Sequence, residues 1–298
     1  MISATAPDWK THIDPPDPTQ SADLLEGSKA VFDQAGRVWM VQASPGATPD
    51  AWNLMLYTLA PNATNWSAPI PIPAESARAE AFNLGMDARG RVVVTHIRAS
   101  SDQYTSRPLS VSRFDPATST WTNLSPPNFS VVASQLHVDA PGNIWVFQQD
   151  RYGRYDDKTG IWTESAELDY VPVDAAWASS HRGAQSLPIA TDSQGNAWTI
   201  GARRKSLNEQ DLPILWINRF DASTGLWGEP ASLNVTEGED RRFLAYEGDR
   251  SRYFVSMAMD AEGRPVALVT EAVETGFIGL WLRSWITRGP ASDPLNVP

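Results

Sequence analysis

Nine side chains in this 298-residue chain are of types that could act together on a polar ligand: Glu26, Arg78, Glu80, His96, Arg98, His181, Arg182, Arg252 and Tyr253. Glu26 and Glu80 stand at equivalent places in successive sequence repeats. A pair of carboxylates so placed could act as acid and base in glycoside hydrolysis. His181 with Tyr253 could instead move the proton in an elimination from a uronate. Arg78, Arg98, Arg182 and Arg252, with His96, could orient hydroxyl or carboxylate groups through charged hydrogen bonds, with the Tyr253 ring as a stacking face. A solvated rim of carboxylates paired with arginines would use the same residue types, so each role is conditional on a ligand.

Other chemistries find no support in the sequence. The four histidines, His12, His96, His137 and His181, have no metal-ligand spacing, and no metal is expected. No nucleophile-elbow, phosphate-loop or dinucleotide fingerprint occurs, so no cofactor is expected. Cysteine is absent, which removes disulfides and thiolate sites.

Gathering residues so far apart in sequence requires a repeated scaffold, and the chain contains one. Asp33-Gln34-Ala35-Gly36 recurs as Asp87-Ala88-Arg89-Gly90, Asp139-Ala140-Pro141-Gly142, Asp192-Ser193-Gln194-Gly195 and Asp260-Ala261-Glu262-Gly263, at intervals of 54, 52, 53 and 68 residues. Each lies between two apolar runs. Asp at the start of a turn accepts backbone N–H groups, and Gly takes the following left-handed position, so each unit predicts a bulged hairpin. A second signature follows, a turn-rich segment and then Trp66, Trp121, Trp162 or Trp227 opening a fourth strand. Five such units predict an all-β, five-bladed β-propeller of four-stranded antiparallel blades. The expected blades span about 23–75, 76–128, 129–169, 170–235 and 236–288, in a single domain over 1–298.

The fifth unit lacks its fourth strand, since Gly289-Pro290-Ala291-Ser292-Asp293-Pro294 has no strand pattern. Ala6-Pro7-Asp8-Trp9-Lys10-Thr11 carries the missing signature, so residues 5–12 are expected to complete the last blade and close the ring.

Within the first strands, alternation separates two sets of residues. Phe32, Met86, Val138, Thr191 and Met259 directly precede the turns and, with Ala30, Leu84, Leu136, Ile189 and Met257, are expected to pack between sheets. Val31, Gly85, His137, Ala190 and Ala258, with Lys29, Asn83, Gln135, Pro188 and Ser256, are expected to face a central channel, with His137 as a hydrogen-bonded wall residue. The first strands start at the end opposite the Asp-x-x-Gly turns. The connections at 43–52, 99–108, 202–213 and 271–277 arrive at that same end, where the nine residues named first would meet.

The hairpins Asp33…Gly36-Arg37-Val38-Trp39, Asp139…Gly142-Asn143-Ile144-Trp145 and Asp192…Gly195-Asn196-Ala197-Trp198 resemble those of bacterial propellers of the streptogramin-lyase and sensor type. The resemblance covers the blade skeleton and implies the fold alone. The glycine three residues after the aspartate separates these turns from the sialidase Asp box, where it lies two after.

A net charge of −11 with one short basic run, Arg203-Arg204-Lys205, argues against nucleic acid as a partner. No apolar stretch has the length of a membrane span. Few lysines with abundant Asp, Thr, Pro and Trp suggest a secreted or periplasmic bacterial protein, although Met1–Pro7 has no leader pattern and the composition also suits the cytoplasm. The expected activity is single-site binding of a carbohydrate or other small polar ligand at the channel mouth, by a monomer. A glycoside hydrolase or polysaccharide lyase using the same mouth, and a scaffold for a protein partner, are the alternatives.

Overall fold

A computed structural model of the chain describes residues 28–45, 52–73, 82–97, 107–126, 130–131, 135–148, 151–163, 189–203, 214–229, 231–233, 250–275 and 279–288. These residues form strands and turns, with no helix among them. The chain divides into two compact units, Met1–Met86 with Gly90–Ser125, and Asp87–Arg89 with Pro126–Pro298.

In the first unit, β1 (Ser28–Phe32), β2 (Val38–Pro45), β3 (Trp52–Leu59) and β4 (Ile70–Pro71) form one antiparallel meander. β5 (Phe82–Met86), β6 (Val92–Ile97), β7 (Arg107–Asp115) and β8 (Thr120–Asn123) form the next. The second unit opens with the two-residue β9 (Ser130–Val131). A third meander follows: β10 (Gln135–Val138), β11 (Ile144–Gln148), β12 (Arg151–Asp156) and β13 (Ile161–Thr163). The fourth is β14 (Ile189–Thr191), β15 (Ala197–Arg203), β16 (Ile214–Asp221) and β17 (Leu226–Trp227), with β18 (Ala231–Leu233) also paired to β16. The fifth sheet has three described strands, β19 (Arg250–Met259), β20 (Pro265–Thr275) and β21 (Gly279–Arg288). Residues 5–12, expected to complete it, lie outside the described residues.

The hairpins form as their residues dictate. Gly36, Gly142, Gly195 and Gly263 donate their N–H to the carbonyls of Asp33, Asp139, Asp192 and Asp260 at 3.0–3.2 Å. All five turn glycines, Gly90 included, have φ between 75° and 101°, a region that costs any residue with a Cβ.

Several expected boundaries shift. Gln148 is registered with Arg151, so β12 begins at Arg151 and the connection before it is short. β20 runs to Thr275, registered with Gly279, which shortens the connection expected at 271–277 to residues 276–278. Trp66 lies outside β4, which starts at Ile70, because Pro69 has no N–H to give to a ladder.

Each unit has its own apolar core between stacked sheets. In the first, Trp39, Val41, Ala43, Leu54, Leu56 and Ile72 of one sheet meet Phe82, Val92, Val94 and Phe114 of the other. In the second, Trp145, Phe147 and Tyr152 meet Ile189, Ala197 and Phe220. Burying each large side chain contributes roughly 1.5–3 kcal/mol, and emptying the Trp145 site would cost about 3–5 kcal/mol.

Candidate functional site

The turn end of each sheet is committed to structure. Asp33 Oδ1 accepts from the amides of Ala35 and Arg37 at 2.9 Å each, and Trp39 Nε1 donates to Oδ2 at 3.2 Å. Asp139 is more deeply placed, 1% exposed, and accepts from Gly142 N, Asn143 N, Asn143 Nδ2 and Trp145 Nε1 at 2.7–3.2 Å. Burial pushes its carboxyl above the usual value, against the pull of Asn143, Trp145 and Arg154. Asp260 is held below its ordinary value, chiefly by the Arg264 amide and then by the guanidinium of the same residue. Asn143 and Asn196 each reach further, taking the amides of Asp157 and Ala222 on their Oδ1 atoms and so tying the two turns of one sheet together. The repeated aspartates are therefore engaged by their own turns.

The repeated aromatics are engaged as well. Trp145 stacks against Phe220 edge-on, with centroids 4.8 Å apart. Arg154, 8% exposed, lies 5.3 Å over Trp145 and 5.1 Å over Phe220, with Nη1 3.1 Å from Asp156 Oδ2. The guanidinium gains cation–π attraction and an ion pair in place of water. Its signal is visible in the sequence as Arg-Phe/Tyr-Asp in Arg113-Phe114-Asp115, Arg154-Tyr155-Asp156 and Arg219-Phe220-Asp221.

The first strands depart from the expected division into packing and channel sets. Val31, assigned to the channel, packs on the core of the first unit beside Leu84 and Met86, and Ala190 is 3% exposed. Phe32, assigned to packing, is 72% exposed. The pleat sends successive side chains to opposite faces of a sheet, and in the first unit one sheet packs on the other so that Val31 of one set and Met86 of the other share a core.

This arrangement brings together two residues that alternation alone had separated. His137 belongs to the cross-strand row His137, Trp145, Arg154, and Thr191 to the row Thr191, Ala197, Phe220, Trp227. The two rows face each other, and at their first-strand ends His137 Nε2 lies 2.9 Å from Thr191 Oγ1. Both residues are half-buried. Desolvation pulls the His137 pKa down to about 4, so the imidazole is neutral at pH 7. Two residues earlier on β10, the buried Oε1 of Gln135 has no hydrogen-bond partner among the described residues. His137 is hydrogen-bonded, as expected, but to a residue of the adjacent sheet. Thr191 was missed because a β-branched residue beside a turn reads as packing.

Of the nine residues singled out from the sequence, Glu26, Arg78, Glu80, Arg98, His181 and Arg182 lie outside the described residues. His96 is in β6, registered with Phe82 and Ser110, and is 3% exposed. Arg252 and Tyr253 lie in β19, at the end away from the Asp260 turn, registered with Ala272 and Glu271. Glu271 is in turn registered with Arg283. Among the described residues no group of three or more His, Cys, Asp or Glu could hold a metal ion. No described helix is long and apolar enough to cross a membrane.

No protein-family model matches the sequence, and no curated protein does. Among solved structures the chain is similar to Penicillium chrysogenum alpha-L-arabinanase complexed with arabinobiose (TM-score 0.38, 9% identity, 90% of this chain and 63% of that one). It is also similar to the NanB sialidase from Streptococcus pneumoniae (0.42, 7%, 83% and 57%) and to the complex of KlAtg21 with the coiled coil of AgAtg16 (0.45, 10%, 89% and 70%). The chain spans less than two thirds of the length of the first two. Likenesses this loose assign no activity.

Proposed function

We propose that the five sheets are the blades of one β-propeller, closed by the N-terminal segment around Trp9. In this reading the protein binds a carbohydrate or other small polar ligand at a single site. The site is formed at the ends of the first strands opposite the Asp-x-x-Gly turns, from Glu26, Arg78, Glu80, Arg98, His181, Arg182, Arg252 and Tyr253, with His96 behind the rim. One observation carries the proposal. The polar groups that recur in every repeat are already engaged, as with Asp139 and its four donors, so recognition falls to residues that do not recur in every repeat. A lectin with one site per blade would repeat its contact residues as faithfully as its turns. Export to the periplasm or outside the cell belongs to the same proposal.

A glycan array together with a reducing-end assay on polysaccharides tests it. Binding without turnover is expected, and replacing Arg182 and Arg252 with Ala should weaken binding while leaving the melting temperature within about 2 °C, since exposed rim changes cost roughly 0.5 kcal/mol or less. Turnover would instead make Glu26 and Glu80 the acid and base of a hydrolase, or His181 and Tyr253 the pair of a lyase. Absence of any glycan binding would remove the proposal.

A further inference from the structure

The contact between His137 and Thr191 breaks a rule that the rest of the scaffold keeps. At the position two before the turn aspartate the five repeats carry Val31, Gly85, His137, Ala190 and Ala258, and at the position one before it Phe32, Met86, Val138, Thr191 and Met259. Each set contains a single polar residue, and those two are hydrogen-bonded to each other across adjacent sheets. The first unit shows what packing alone selects at this contact: Val31 and Met86, at the ends of equivalent rows, pack on one apolar cluster. The polar pair offers stability little, because an imidazole taken from water loses hydration that one hydrogen bond to a hydroxyl replaces only in part. Local rules broken in this way, by residues that contact each other, mark sites used for something other than folding.

The chemistry of the pair restricts what it would hold. The imidazole is neutral, so one ring nitrogen accepts and the other donates. Thr191 adds a hydroxyl, and Gln135, about 7 Å back along β10 by strand rise, has an acceptor with no partner among the described residues. None carries charge, and none of them neutralises a carboxylate or phosphate. Uncharged hydroxyl groups, each a donor and an acceptor, fit all three.

We infer that Gln135, His137 and Thr191 form a contact set for the uncharged hydroxyls of a neutral saccharide that runs from the mouth along the first strands of the second unit. This rests on the proposed sugar binding, and it assigns the specificity: neutral glycans over uronate-bearing ones, with the preference set on β10 and β14 and not by the arginines at the rim.

The test uses the full-length protein, a panel of neutral oligosaccharides and a matched panel bearing uronates, and two variants. Thr191→Val removes only the hydroxyl. His137→Val combined with Thr191→Met restores the apolar pair of the first unit. The wild type is expected to bind neutral glycans, Thr191→Val to bind them about fivefold to tenfold more weakly, as the loss of one hydrogen bond dictates, and the double variant to lose binding while melting no lower than the wild type. Glycan binding that both variants retain would overturn the inference and leave the proposed function standing, as would binding confined to uronates. If no glycan of either panel binds the wild type, the inference and the proposed function fall together.

Discussion

Asp139 and Asp260 occupy the same place in the repeat, yet replacing them should have very different effects. In Asp139→Ala the donors left behind are Gly142 N, Asn143 N, Asn143 Nδ2 and Trp145 Nε1, around a side chain that is 1% exposed. One water in the vacated space could satisfy two of them. The two remaining donors would cost about 1–3 kcal/mol each, or about 4 kcal/mol together. An unfolding entropy of roughly 2.1 cal/mol/K per residue turns each kcal/mol into about 1.5 °C for a chain of this size, so the melting temperature should fall by about 6 °C. The Asp260 carboxylate accepts from Glu262 N, Arg264 N and the Arg264 guanidinium, with solvent at hand. Asp260→Ala should then cost far less, because water replaces the lost carboxylate at an exposed turn. Asp139→Asn should fall between, because its amide oxygen can serve the two backbone donors while its NH2 confronts Asn143 Nδ2 and Trp145 Nε1. Thermal and urea unfolding of the three variants would measure this. Equal losses for Asp139→Ala and Asp260→Ala would refute the argument that burial, and not the turn itself, sets the cost.

Acid should weaken the fold through His137. Its folded pKa of about 4 lies below the unfolded value of 6.5, so between these values the unfolded chain holds a proton that the folded chain refuses, and stability falls as pH drops through that window. The gap corresponds to at most about 3 kcal/mol, and less for a ring that keeps some solvent. Melting curves from pH 7 to 4 should flatten in His137→Leu, and an unchanged pH slope would exclude His137 as the source. Gly195→Ala should destabilise more than Gly90→Ala. Both have positive φ, but the added Cβ would lie 3.3 Å from Asn143 Nδ2 in the first case and meet nothing within 4 Å in the second. Equal unfolding midpoints would contradict this. If residues 5–12 complete the last blade as proposed, deleting residues 1–14 should lower the melting temperature or cause aggregation, since an edge would be left unpaired. A truncated chain that melts like the full one would show that the segment is only a tail.

How far the sequence could be read follows from what each residue's role depends on. The hairpins were legible because Asp and Gly act within five residues of chain, as Asp33 and Gly36 do. The aromatic positions were legible because Trp145 and Trp198 recur in register with those turns. The pairing of His137 with Thr191 was not, since it depends on which faces of two sheets meet, and the pleat of one strand does not say. The burial of His96 shows the same limit: its place at the end of β6 suggested a rim residue, whereas its register with Phe82 and Ser110 puts it inside. Charged residues of the connections, such as Arg98 and Arg182, carry no periodic signal, so their grouping is expected from topology alone.

The central claim is a single polar site in a chain built from five similar units, and binding stoichiometry tests it most directly. Isothermal titration of the full-length protein with the glycan that binds best on the array should give one ligand per chain, with affinity lost on replacing Arg252 and unchanged on replacing exposed residues at the Asp-x-x-Gly turns. Several equivalent ligands per chain, or binding abolished by changes at those turns, would contradict the account.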